Sequence, residues 1–352
     1  MPSNMLLHDV ESALKAATAD DKQMWLSNVK ASVADYLERD EVLPLSVALA
    51  MAPSQAAYRQ LWQSLCEVVD SEGEGGTETL FALPIVLVVG AKSPAVLPGV
   101  LPNIEGLRDL LAQHKVVLDP SRVSFSPKLL HPDSVSGLSS STLFRVNRSG
   151  AALQSAEIEA LPEAPISVSG EGVFLRYLIG SVRHVPGEPT PIVFGGAVGN
   201  WGRPVLDWLN KALNTEGVTL FPISRPPQPW MSALVAGGRA RQEVAMQVFA
   251  SNRLRKLREL SLNPVAIASS HQGGELRFTL SAVGDDRNWE GFVWPLSALD
   301  SVQLIAEQFA ELMADCRVDE VRFVPLVQPD HQGDVPLFLT ANDLPPSGSL
   351  IQ

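Results

Sequence analysis

Between the β-like tetrad Pro191-Ile192-Val193-Phe194 and a helix-like run from Pro204 lies Gly195-Gly196-Ala197-Val198-Gly199-Asn200-Trp201-Gly202. A helix start carries unpaired N–H groups and the positive end of the helix dipole, so a glycine turn there could hold a phosphate or nucleotide. Gly196, Gly199, Asn200 and Gly202 are the candidate ligand contacts. The spacing departs from the dinucleotide pattern Gly-x-Gly-x-x-Gly. Trp201 stands where close backbone approach is wanted, and no acidic residue marks a ribose position. A tight turn ahead of a helix accounts for the same residues.

A second candidate is the segment from Arg239 to Leu260. It holds Arg239, Arg241, Arg253, Arg255, Lys256 and Arg258 against Glu243 and Glu259, in a chain whose net charge is −12. Met246, Phe249, Ala250, Leu254 and Leu257 supply an apolar stripe, so the expectation is an amphipathic basic helix. Such a helix is either a solvated face whose cations pair with acidic surface elsewhere, or a docking site. A docking site would take an acidic protein partner, a second copy of the chain, a phosphate-bearing ligand or an anionic membrane face.

Other chemistry is poorly supported. The six histidines never stand three or four residues apart, and Cys66 and Cys316 are 250 residues apart, so no local metal-ligand spacing exists. Gly90-Ala91-Lys92-Ser93 follows a strong strand but lacks the glycines of a phosphate-binding loop. Asp285-Asp286 sits on a turn, where adjacent side chains point apart. Ser136 and Ser169 lack the Gly-x-Ser-x-Gly of a nucleophile turn. The expectation is therefore no catalytic residue, no metal and no cofactor.

These candidates must be positioned by an α/β framework. The first 70 residues read as helices. The clearest has Ser54 as its cap and Tyr58, Leu61, Trp62, Leu65, Cys66 and Val69 as one stripe. Ser71–Glu78 reads as a linker, and Thr79–Gly90 as a strand buried on both faces. Helices are expected at Ile104–Gln113, Pro204–Leu213 and Ser301–Ala314. Each is followed by a strand of the form Val-x-(Leu/Phe)-x-Pro, starting at Val116, Val218 and Val321, spaced by 102 and 103 residues. Leu175-Arg176-Tyr177 recurs as Leu276-Arg277-Phe278, each after a glycine turn that reads as a hairpin. The fold class expected is α/β, with repeated strand–helix–strand modules in a parallel or mixed sheet and an N-terminal helical region. The divisions are 1–72, 79–150, 151–238, 239–342 and a tail, 343–352.

The net charge argues against general nucleic-acid binding. Phe81–Pro102 holds Lys92 and four prolines, so no transmembrane segment is expected. Asp9 and Glu11 near the start, with no early cation, are unlike a secretory leader, and two cysteines suit a reducing compartment. The expectation is a cytoplasmic, non-catalytic interaction or assembly protein. The alternatives are a phosphate- or nucleotide-binding regulatory module, or an α/β enzyme with dispersed catalytic residues.

Overall fold

The computed structural model describes residues 2–71, 77–327 and 335–344. Most of the expected linker at 71–78, residues 328–334 and most of the tail lie outside them. The chain divides into two compact units, Met1–Arg241 and Gln242–Gln352.

The first unit opens with α1 (Pro2–Lys15), α2 (Ala19–Glu38), α3 (Val42–Ala50) and α4 (Gln55–Val69). Local chemistry sets where they start. The Thr18 hydroxyl accepts the Asp21 N–H at 3.1 Å, and the Ser54 hydroxyl accepts the Ala57 N–H at 3.1 Å. Apolar spacing sets which face they bury. Val29, Val33 and Leu37 of α2 and Leu61, Leu65 and Val68 of α4 are all buried.

The sheet follows. Its strands are β1 (Glu78–Leu97), β2 (Val123–Leu130), β3 (Ile166–Arg183), β4 (Val218–Ser224) and the two-residue β5 (Gln228–Pro229). Between them run α5 (Ile104–Gln113), α6 (Pro132–Ser136), α7 (Ser140–Val146), α8 (Ala156–Glu159) and α9 (Gly202–Ala212). The order is β2-β3-β1-β4, with β5 beside β1, and every pairing is antiparallel. The expected parallel geometry is absent from this sheet. β1 is buried from Glu78 to Leu87, as a strand covered on both faces should be. It continues past Gly90, through a register shift at Ala91/Ala95 where Lys92, Ser93 and Pro94 are exposed.

Two sequence expectations fail here. Val116–Leu118 and Pro191–Phe194 are not strands; they share one bridge, Val117 to Ile192. Pro120 opens a turn capped by Asp119, and the strand proper begins only at Val123. The Gly170–Gly172 stretch is not a hairpin either. It lies inside β3, with Gly170 at φ 87° opposite Ala91, beside the register shift.

One face of the sheet presents Phe81, Leu83, Ile85, Leu87 and Val89 to Leu107 and Leu111 of α5 and to Val205 and Leu209 of α9. On the other face, the Tyr177 hydroxyl donates to the Leu234 carbonyl at 3.1 Å. Leu234 belongs to α10 (Trp230–Glu259), the 30-residue helix across which the unit boundary falls. Only glycine fits at Gly237, because a Cβ there would stand 2.5 Å from the Tyr177 oxygen.

The second unit takes the rest of α10, then β6 (Pro264–His271), β7 (Glu275–Ala282), β8 (Asp285–Pro295), α11 (Val302–Asp315) and β9 (Glu320–Val324). The hairpin expected at Gly273–Gly274 is present, with φ 106° and 77°. The sheet order is β8-β7-β6-β9, antiparallel except for β6 with β9, so this sheet is mixed. Ala266, Ala268, Leu276, Phe278 and Trp294 bury one face under α10 and under Ile305, Phe309 and Met313 of α11. Val265 and Ile267 on the opposite face meet Val327, Leu339 and Ala341.

The repeat expectation does not survive this topology. Val218 lies in a strand antiparallel to β1, whereas Val321 lies in a strand parallel to β6. The two cannot superimpose as one module. Helices and strands with a mixed sheet remain of the expected fold.

Candidate functional site

The glycine turn is exposed at Gly196, Gly199 and Asn200. Gly195 and Gly196 have φ 72° and 83°, so these are the positions that need glycine; Gly199 does not, and a Cβ there meets nothing within 4 Å. The N–H groups of Trp201 and Gly202 both donate to the Val198 carbonyl, at 3.2 and 2.6 Å. Pro204 has no N–H to offer. The Val205 N–H donates to the Trp201 carbonyl at 3.0 Å, continuing the helix. An anion at the start of α9 would therefore find the Arg203 N–H and little else of the first turn.

The basic segment is the greater part of α10. Its burial does not follow one stripe. Ala233, Gly237, Ala240 and Val244 are buried at helical spacing, and so are Met246, Ala250, Leu254 and Leu257, but the second run is offset by two residues from the first. Within the second unit, the 100° spacing puts Arg253 on the same side as Met246, Ala250 and Leu257. It is 7% exposed, and its Nε and Nη2 have no hydrogen-bond partner. Arg253 is thus part of the buried face and not the surface cation that the sequence suggested.

The other cations are distributed. Arg239 is half-buried and Arg241 is exposed, both in the first unit. Arg255 is exposed, and its Nη2 donates to Asn252 on its own helix at 3.3 Å. Lys256 is exposed and stands 3.9 Å from Glu290 of β8, a weak surface pair. Arg258 donates to the Cys316 carbonyl at the end of α11, where the helix leaves carbonyls unpaired. Ser251, Leu254, Arg255, Arg258, Glu259 and Cys316 surround an open cleft of about 540 Å³. Of the predicted cations, the structure brings Arg255 and Arg258 together there.

Buried titratable groups elsewhere offer little chemistry. Burial pushes the Cys66 thiol up to about 12, helped by the charges of Asp70 and Glu67, so it is no nucleophile. Burial likewise raises the Asp70 carboxyl to about 7, and its Oδ1 is buried without a hydrogen bond. Both cysteines are free thiols. The two carboxylates of Asp285 and Asp286 do point apart. Asp285 accepts from Asn288 and from the Arg287 N–H, which lowers its pKa, while Asp286 accepts from Asn342. Among the described residues no group of three or more His, Cys, Asp or Glu is placed to hold a metal, and no helix is long and apolar enough to cross a membrane. Sequence reasoning read Leu276-Arg277-Phe278 on β7 and the strand from Val321 on β9 only as repeat signals, although Glu275-x-Arg277 and Glu320-x-Arg322 are spaced to share a strand face.

No family model, curated protein or solved structure matches this chain.

Proposed function

We propose that this chain is a non-catalytic interaction or assembly protein of the cytoplasm, which docks an acidic protein segment on the last turns of α10. The observation that carries the reading is the open cleft where Arg255 and Arg258 outnumber the one carboxylate, Glu259, with Leu254 in its wall. Apolar surface beside two guanidinium groups suits a segment that presents carboxylates around an apolar side chain. The rest of the chain is acidic, so the cleft is a local reversal of sign, effective over about one Debye length of ~10 Å. Free thiols at Cys66 and Cys316 support the cytoplasmic placement.

The test reverses charge at Arg255→Glu and Lys256→Glu. It spares Arg253, which is buried, and Arg258, which holds a helix-end carbonyl. A short fluorescent poly-glutamate peptide is titrated against both chains at low and raised salt. The expected result is at least tenfold weaker binding by the variant, and wild-type binding that weakens with salt. Equal affinity in the two chains, with circular dichroism unchanged, would reject the cleft; so would no binding by the wild type at low salt.

A further inference from the structure

The sheet face opposite the helices in the second unit is polar where a covered face is normally apolar. One row across β8, β7, β6 and β9 reads Gly291, Thr279, Ile267, Arg322, and the next reads Val293, Arg277, Ser269, Val324. Residues 335–344 lie over this face, yet they form no strand with it. Side chains hold them by their backbone. Arg277 Nη1 donates to the Leu337 carbonyl at 2.6 Å, and Arg322 Nη1 donates to the carbonyls of Ala341 and Leu344 at 3.0 and 3.2 Å. The Ala341 N–H donates to Ser281 Oγ at 2.9 Å.

Both arginines are braced alike. Arg277 pairs with Glu275 at 2.8 Å and Arg322 with Glu320 at 2.6 Å, each two residues back on the same strand face. One side chain of the segment is read specifically. The Phe338 ring occupies the space that a Cβ on Gly291 would need, with Trp289 5.9 Å away and the Arg277 guanidinium 5.8 Å from the ring centroid. Leu337 is 65% exposed. The segment bends at Leu337 and Phe338 and turns at Ala341–Asp343, so main-chain clamps and one aromatic site hold it by its bent backbone path.

The cover is imperfect. Thr279 Oγ1 and His271 Nδ1 on this face are buried without a hydrogen bond. The Ser269 hydroxyl is 3.3 Å from the Arg277 carbonyl and 3.0 Å from His271 Nε2. If that hydroxyl donates to the carbonyl, Nε2–H donates to Ser269 and Nδ1 is left as an acceptor. A permanent cover would be expected to satisfy such groups.

We propose that this face is a peptide-binding groove, that residues 335–344 occupy it in cis as a displaceable cover, and that its ligand is a partner segment that follows the same bent path. That segment carries an aromatic residue for the Gly291 site, then an apolar residue where the cis cover packs Leu339 against Val265 and Ile267. The site shares no residue with the α10 cleft, so either proposal can fail alone.

The experiment weakens the cover with Phe338→Ala in the full chain and titrates a labelled peptide of residues 335–344. The variant should bind it at least tenfold tighter than the wild type, and a Leu339→Gln peptide more weakly than the native peptide, because Leu339 packs in an apolar cluster. Adding Arg277→Ala and Arg322→Ala should abolish binding. A folded Phe338→Ala chain that binds neither peptide would overturn the proposal. Should that variant not fold, hydrogen exchange of the wild type decides. An Ala341 amide exchanging at least tenfold faster than those of Ile267 and Thr279 supports a cover that opens alone; equal protection overturns it. Wild-type dimers that the free peptide dissolves would assign the groove to the cover of a second copy, and the partner reading would fall.

Discussion

At the scale of single residues, the first unit carries a pH dependence that composition hides. Asp70 ends α4 with its carboxyl raised to about 7 by burial. Its unfolded value is about 3.9. A raised acid is a group whose proton favours the folded state. Its contribution is complete below about pH 4, declines as pH rises, and is lost above about pH 7. Three pKa units correspond to at most ~4 kcal/mol, and local relaxation reduces this. Urea unfolding at pH 5 and pH 8 should show the wild type losing stability toward pH 8. Asp70→Asn should remove most of that slope and be the more stable chain at pH 8. A variant with the same slope as the wild type would place the titration elsewhere.

At the scale of elements, α10 is where the expected and observed helices differ most. Arg253 stands among Met246, Ala250 and Leu257 with two guanidinium nitrogens unpaired. Burying such a charge costs more than an apolar side chain of similar length. Arg253→Met should leave the midpoint of chemical unfolding unchanged or raise stability by ~1–3 kcal/mol; a loss above ~1 kcal/mol would mean that the guanidinium is paired in solution. The spacing in the sequence already sets Arg253 on the side of Met246, Ala250 and Leu257, but a cation is read as surface by its type, and only the facing layer shows that this one is buried. Ends of helices were legible for the opposite reason. α4 and α11 begin directly after Ser54 and Ser301, whose hydroxyls accept N–H groups of the first turn, since a cap is settled within one turn. The basic helix expected from Arg239 in fact starts at Trp230 and runs through Gly237, where the close approach of Tyr177 from β3 requires glycine. Val116–Leu118 has strand composition but only one bridge, and the directions of β4 and β9 depend on partners far away in sequence.

At the scale of the whole molecule, each unit has its own apolar core, one around β1 and α9 and another around Phe278, Phe309 and Trp294. Two cores predict departure from a single two-state melt. Scanning calorimetry should give a total enthalpy above the van't Hoff value, and Phe309→Ala should lower one transition while leaving the other in place. One sharp transition that moves as a whole would show that α10 couples the units completely. The sheet of the first unit has a consequence for synthesis on the ribosome. β1 holds the long apolar run Leu80–Ala91, and its pairing with β3 brings together residues as distant as Glu78 and Arg183, 105 positions apart. At about 5–20 residues per second, β1 leaves the exit tunnel roughly 5–20 s ahead of the last of its partner strand. For that interval a row of leucines and valines is without its cover, which makes the half-made chain open to aggregation.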